Sequence, residues 1–559
     1  MSGTRIASPG TGAPPPTRTD RLLGGIERVG NALPEPFILF AILFLVVGLI
    51  STALAAADVQ VTVPGANRPT VVRGLFSGEG LGWLFTTFVS NFIGFPPLGT
   101  VLTILLAVGL AERSGLLTAV IRLLFGGAPR WALPYAVGLV GVSANVMADS
   151  AFIVVPPLAA LVFAAAGRHP VAGLLGGFAA TGAGYSTSIF VTSIDALFAG
   201  ITTAVTRTLP NPGAPVSPVS NYYFNAVAAV ILGLVAGLVI ARVVEPRLER
   251  QGVPRERADA PQAQPVGSVS ASAAGDTRSP EAGEATSTDA TSAAGEQGEL
   301  SAELGARERR ALRWAGLATG VLALALVVTA LLPGSFFRND SGGFLPRSPL
   351  LDSTVSIVFV LFLVPALVYG ALVGTIRSSA DVPRLITGAV QDLAAFVVLA
   401  FILGQFIALF TWTGIGSWLA VTGADTLQSL GFTGFGAILG FVVLASLLNL
   451  FIISGSSLWT LLASVFVPLF LLLGYEPAFV QAAFRVGDSA TQVMTPLNPY
   501  MIVLLAFVRR YEPEAGLGTV MARMVPFVVP FFLAWTALLA LFYFAGFPFG
   551  PGTNARLTP

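Results

Sequence analysis

Residues 449–500 read NLFIISGSSLWTLLASVFVPLFLLLGYEPAFVQAAFRVGDSATQVMTPLNPY, and the rest of the chain is best understood from this stretch. Its apolar runs are interrupted twice by small polar residues, at Ser454-Gly455-Ser456-Ser457 and at Gly487-Asp488-Ser489-Ala490-Thr491. Arg485 and Asp488 stand three residues apart in otherwise lipid-compatible sequence. A charge at the centre of a bilayer costs at least ~2.5–3.5 kcal/mol, so such residues face a bundle interior. A Gly/Ser break frees backbone carbonyls and amides, which persist only where protein or a polar cavity satisfies them. Charges and breaks together point to a solute or ion site near the membrane midplane.

The whole composition agrees with this reading. The 559 residues are 54% hydrophobic and only 11% charged, against roughly 25% charged in a soluble protein. Apolar runs of about 20 residues, each long enough to cross a bilayer, recur along the chain. It is therefore a polytopic helical membrane protein. The absence of Cys excludes disulfides, thiol chemistry, iron–sulfur clusters and zinc–cysteine sites. The single histidine, His169, reads as a solvated loop residue between two apolar runs. No GxSxG, HExxH or Walker A motif is present, so no enzyme or nucleotide-driven pump is expected, and no cofactor. A net charge of +1 gives no sign of a nucleic-acid partner. The polar, Pro-rich first 20 residues lack the apolar region of a signal peptide, so the first apolar run is expected to be a retained span.

Residues 1–33 form an N-terminal segment, amphipathic from Arg21 to Asn31. Apolar runs fill 34–244 and 311–549, and 550–559 is a tail. Between them, 245–310 is rich in Ala, Ser, Gly, Glu, Thr and Arg and reads as a disordered linker. Arginines crowd the linker ends (Arg242, Arg247 and Arg250; Arg307, Arg309 and Arg310) and flank the first span. By the positive-inside rule, the N-terminal segment and the linker are cytoplasmic. Two short apolar halves around Phe95-Pro96-Pro97-Leu98-Gly99 read either as a re-entrant hairpin or as one long interrupted span. The expected architecture is all-α, with about nine transmembrane helices plus two re-entrant hairpins.

Spacing reveals an internal repeat. Ser150 is followed by Gly167 at +17 and Pro170 at +20, and Ser457 by Gly474 and Pro477 at the same intervals. Gly184 leads to Thr192 at +8 and Asp195 at +11, as Gly487 leads to Thr495 and Asn498. This register sets Ser186 against Ser489 and Ser188 against Thr491. Upstream, Glu112-Arg113-Ser114-Gly115 and Thr411-Trp412-Thr413-Gly414 end interrupted stretches alike. Repeats on either side of a linker are expected to be inverted, setting two broken helices against each other.

The charges inside the repeat tracts are Asp149, Asp195, Arg485 and Asp488. Glu112, Arg113, Arg122 and Asp392 lie near run ends, where snorkelling makes them interfacial. Arg485 reads either as a fork for a substrate carboxylate or as an intrahelical partner of Asp488. Asp488 or Asp195 suits a cation or proton. Asn449, a neutral amide oxygen beside the first break, is a candidate sodium ligand with Asp488. Trp459 reads either as a stacking surface for an aromatic ligand or as plain packing.

The tracts NALPEPFILF, NFIGFPPLGTVLTILLAVGLAERSGLL, STSIFVTSIDALFAG, SGSSLWTLLASVFVPLF and FRVGDSATQVMTPLNPY resemble those of the AbgT family of p-aminobenzoyl-glutamate transporters. That resemblance covers nearly all of the chain outside the first ~30 residues and the linker. It implies a bowl-shaped homodimer in the bacterial inner membrane, with one pathway per protomer. It also implies that the residues important for transport fall on Asp195, Asn449, Ser456, Trp459, Pro477, Arg485, Asp488 and Pro496. Arg485 and Trp459 would lie nearest substrate, and Asn449 and Asp488 nearest sodium. The function so implied is ion-coupled secondary transport of p-aminobenzoyl-glutamate or related aromatic carboxylates, with sodium and/or proton as coupling ion. Import and export both remain open, the latter including sulfonamide-type antimetabolites. A sodium-coupled dicarboxylate carrier is the nearest alternative, and a channel or intramembrane enzyme a more distant one.

Overall fold

The computed structural model describes residues 34–64, 69–255, 304–345, 348–452, 454–495 and 498–557. Pro496, the amphipathic tract 21–31 and the Asp392 side chain lie outside the described residues. Of the described residues, 73% are helical. Among the described residues, nine helical segments are long and apolar enough to cross a membrane. The only strands among the described residues are the short antiparallel pair Gln60–Val61 and Thr70–Val71 in the loop after the first span.

Each half contains the same sequence of elements. Two helices follow each other across a short break: Leu133–Ser143 and Ala151–Ala165 in the first half, Phe435–Asn449 and Gly455–Leu472 in the second. A broken helix follows, Pro170–Ala183 then Ser193–Thr206, matched by Pro477–Thr491 then Pro499–Arg509. A long helix closes each half, Tyr222–Val239 and Leu517–Ala545. The arms of the broken helices hold 11 to 15 residues, about 16–22 Å at 1.5 Å per residue. That falls short of the ~30 Å hydrocarbon thickness, so no arm crosses alone.

Local sequence explains the breaks. Pro170 and Pro477 open their helices at the first turn, where a missing N–H costs nothing. The first broken helix restarts on a capping box, with the Thr192 side chain accepting from Asp195 N and the Asp195 carboxylate accepting from Thr192 N. The second restarts on Asn498, whose side chain accepts from Tyr500 N, with Pro499 at the first helical position. The matched tetrapeptides end helices Pro96–Arg113 and Ala394–Thr413, and both finish on a left-handed glycine, Gly115 (φ 87°) and Gly414 (φ 74°).

The repeat is inverted, as its two connectors show. In the first half, His169 Nε2 lies 3.1 Å from the Val253 carbonyl and His169 N donates to Glu245, at the end that carries the linker. In the second, Leu471 packs with Val63, Leu209 and Ala420, and Tyr475 donates to the Thr433 carbonyl. Val63 is separated from Glu35 by one span, Pro36–Ala56. Equivalent turns thus sit at opposite ends of the bundle.

Two expectations change, and one alternative falls away. His169 is buried rather than solvated, because Val253 and the Arg168–Glu245 ion pair close over it. The helices flanking Phe95 do not fold back on each other. Gly78–Ile93 packs on Ala394–Thr413, whereas Pro96–Arg113 packs on Thr354–Val373, Ser193–Thr206 and Asp381–Asp392. Finally, the ends of the 245–310 segment are ordered: Glu245–Arg250 is helical with Leu248 buried, and helix Ala306–Leu331 begins before residue 310. Composition had masked the apolar positions that anchor them.

Candidate functional site

The two broken helices meet at the register predicted from spacing. Ser186 Oγ and Ser489 Oγ are hydrogen-bonded at 2.9 Å, so these equivalent residues lie on the axis relating the halves. Ser188 Oγ donates to the Ser143 carbonyl (3.2 Å), and Thr491 Oγ1 donates to the Ser446 carbonyl (3.1 Å). Gly184 and Gly487 admit close approach of helices Leu133–Ser143 and Phe435–Asn449. A Cβ at Gly184 would lie 2.8 Å from Val142 Cα, and one at Gly487 2.6 Å from the Val442 carbonyl oxygen.

Arg485 is fully buried at this crossing, and its ionic partner comes from the other half. Its Nη2 lies 2.8 Å from Asp195 Oδ1, its Nη1 donates to the Ser186 carbonyl, and its guanidinium sits 5.1 Å from the Phe198 ring centre. Gln481, in the amide orientation that satisfies both of its ends, accepts from Arg485 at 3.1 Å and donates to Thr202 at 2.7 Å. Asp195 is fully occupied as well, accepting from Thr192 N and Thr192 Oγ1 at 2.8 Å and from Asn225 Nδ2 at 3.0 Å. Trp459 is buried behind the pair, its indole N–H donating to Thr202 (3.2 Å) and the Phe198 carbonyl (3.3 Å), its ring 4.7 Å from Phe484. Arg485, Asp195 and Trp459 therefore form one network.

Asp488 and Asn449 form a second cluster, one turn further along. Asn449 Nδ2 donates to the Asp488 carbonyl (2.5 Å) and to Thr491 Oγ1 (3.1 Å). Both carboxylate oxygens of Asp488, and Asn449 Oδ1, are buried without a hydrogen-bond partner among the described residues. An oxygen set of this kind suits a hard cation. Gly455 opens space at it: a Cβ there would lie 3.3 Å from Asp488 Oδ2 and 2.9 Å from Tyr185 Cε1.

A cavity of about 1290 Å³ reaches this region, lined among others by Tyr185, Ser454, Ser456, Gln492, Asn498 and Tyr500. Of the predicted site residues, Ser456 lines it, whereas Arg485, Asp195 and Trp459 stand behind its wall. Pro477 opens the helix bearing Arg485 and Asp488, at that helix's far end. Glu112, expected at an interface, lines the cavity too, while Arg122 pairs with Glu308 at 3.0 Å. Spacing did not single out Gln481 or Asn225. Both are amides inside apolar runs, which was the available signal.

Comparison with known proteins follows from this geometry. A model of the AbgT putative transporter family matches residues 21–273 and 279–557. The chain belongs to the AbgT family. The p-aminobenzoyl-glutamate transport protein of Escherichia coli (strain K12) is 34% identical over 546 residues, 98% of this chain and 99% of that protein. Among solved AbgT-type structures, the YdaH transporter of Alcanivorax borkumensis matches with a TM-score of 0.79 and 34% identity, over 93% of this chain and all of that one (100%). MtrF of Neisseria gonorrhoeae, described within a class of antimetabolite efflux pumps, matches with a TM-score of 0.81 and 32% identity, over 95% and 100%. AbgT membership makes the chain a multi-pass membrane transporter and not an enzyme.

Proposed function

We propose that the protein is a secondary active transporter of p-aminobenzoyl-glutamate or related aromatic carboxylates, coupled to a sodium or proton gradient, with sulfonamide-type antimetabolites among the species it exports. The observation that carries the coupling is a charge count. Asp195 and Asp488 bring two buried negative charges and Arg485 one positive, and Arg485 is already engaged by Asp195. Asp488 is left over, with no donor on either oxygen among the described residues. A buried, uncompensated carboxylate costs several kcal/mol, and one sodium ion or one proton relieves it. Asn449 Oδ1 is the neutral oxygen beside it.

In the transport cycle a substrate carboxylate takes the place of Asp195 on Arg485, an exchange for which the guanidinium fork is suited. Ser456 meets substrate on the cavity wall, Trp459 buttresses Arg485 from behind, and Pro477 sets the end of the moving arm that carries Arg485. Arg168, Arg247 and Arg307 mark one end of the bundle as cytoplasmic. The cavity reaches Glu35 and Glu112 at that end, which supports an inward-facing state. Two protomers form a homodimer in the bacterial inner membrane, and the 133–165 and 435–472 units enter the bilayer and return on the same side.

The test is uptake by purified protein in liposomes, with sodium and proton gradients imposed separately. One gradient is expected to drive accumulation of p-aminobenzoyl-glutamate against its concentration. Accumulation indifferent to both gradients refutes coupling.

A further inference from the structure

The cavity's charged lining is unbalanced. Among the described residues it presents Glu35, Glu112 and Asp149 and no Arg, Lys or His. Asp149 lies in the segment joining Leu133–Ser143 to Ala151–Ala165, and its side chain is exposed to the cavity. The residue before it, Ala148, has φ 48° and ψ −128°, a region that is essentially reserved for glycine and costs about 1–3 kcal/mol. Strain of that kind persists only where the surrounding structure over-determines it.

Asp149 also has an aromatic neighbour. Its carboxylate faces the Tyr500 hydroxyl. The Tyr500 ring stacks on Phe152 at 5.2 Å and 3° between planes, and Phe152 packs in turn on Phe178. Tyr185 and Phe152 line the same cavity. A carboxylate accepts about four hydrogen bonds, and that of Asp149 presents this capacity to an aromatic-walled space. That wall repels the anionic end of a ligand. It attracts a hydrogen-bond donor attached to an aromatic ring.

We propose that Asp149 is a specificity-determining residue that accepts a hydrogen bond from the ring amine of a p-aminophenyl substrate, whose ring lies against Tyr500. This deepens the substrate reading above and rests on it. It gives one site to two ligand classes, since p-aminobenzoyl amides and sulfanilamide-type compounds share the aryl amine. The carboxylate end, where present, then points away from Asp149 towards Arg485.

The test compares binding of p-aminobenzoyl-glutamate, its p-dimethylamino analogue and benzoyl-glutamate to the purified full-length protein. The last two carry no N–H donor on the ring. A hydrogen bond to a charged acceptor predicts that the wild type favours the amine about 10- to 100-fold. D149L should abolish that preference while binding benzoyl-glutamate at least as tightly as the wild type, because a like charge is gone. Y500F, which keeps the stacked ring, should reduce the preference. Equal binding of all three ligands by the wild type overturns the proposal without any variant, as does a preference unchanged in D149L. Failure of the wild type to bind any of the three instead overturns the substrate reading, and is distinguishable on that ground.

Discussion

Removing the Arg485 side chain should cost more than any other single truncation in the crossing, and the structure says by how much. The Arg485–Asp195 separation is 2.8 Å, which at an effective dielectric of about 20 gives a gross attraction of ~6 kcal/mol. Most of this is consumed in desolvating two ions, but that cost is not refunded when one partner disappears. Truncation of one member of a buried pair therefore costs ~3–5 kcal/mol. R485A should lie at the upper end, because it strands Asp195 and Asp488 together. D195N should cost less, because Arg485 keeps the Ser186 carbonyl and Gln481. The double variant R485A/D195N leaves no orphaned partner of the pair, so it should be more stable than the sum of the single costs by ~2–4 kcal/mol. Reversible unfolding in mixed micelles measures all three. Additivity within about 0.5 kcal/mol would mean that the two residues do not act as a pair, and the description of the crossing would be wrong.

Further predictions follow from the second cluster and from the connectors. D488N removes the surplus negative charge, so substrate binding should become independent of sodium and pH; persistence of either dependence contradicts the charge count. G455A puts a methyl 3.3 Å from Asp488 Oδ2 and 2.9 Å from the Tyr185 ring; gradient-driven uptake should fall at least ~10-fold while the protein remains folded by circular dichroism. Glu476 is in the connector to helix Pro477–Thr491, where it accepts from Asn554 N at 3.1 Å, and burial, opposed by that bond, pushes its carboxyl up to about 7. Its folded state thus favours the protonated form, a contribution present below the ordinary carboxyl range and lost as pH rises through 7. Between pH 5 and 8 the wild type should lose Tm, by about 2 °C given partial exposure, and E476Q should flatten the profile; an identical slope in E476Q assigns the effect elsewhere.

Membrane class, span number, the repeat and the identities at the crossing were legible because each leaves a local mark. Runs of apolar residues set the spans, and paired Gly, Ser and Thr spacings set the register that puts Ser186 on Ser489. The partner of Arg485 was not legible. Three-residue spacing offered only Asp488, but the helix carries the Arg485 side chain towards Asp195, which is 290 residues away in sequence and fixed by its own capping box. Long-range pairing of this kind depends on how two halves dock, and docking has no one-dimensional signature. The buried His169 escaped for a related reason: its cover, Val253, comes from a segment whose overall composition is polar.

The repeat also explains why the charges are not themselves repeated. Matched hydroxyl bonds, Ser188 to Ser143 and Thr491 to Ser446, give the halves equivalent frames. An inverted pair of equal frames can exchange conformations and so open to either side with little intrinsic preference. A ligand biases such an equilibrium only through differential interaction with the two states. The asymmetry provides that difference: Arg485 and Asp488 ride on one broken helix, Asp195 on the other, and Tyr185 stands where the second half has Asp488. On the proposed reading, a cation at Asp488 also changes what Arg485 presents. While Asp488 is charged, Arg485 sits between two carboxylates and an incoming anion is disfavoured. Once Asp488 is neutralised one turn away, a substrate carboxylate competes for Arg485 against Asp195 alone. Ion binding should therefore precede substrate binding, and substrate affinity should rise with ion concentration until Asp488 is saturated.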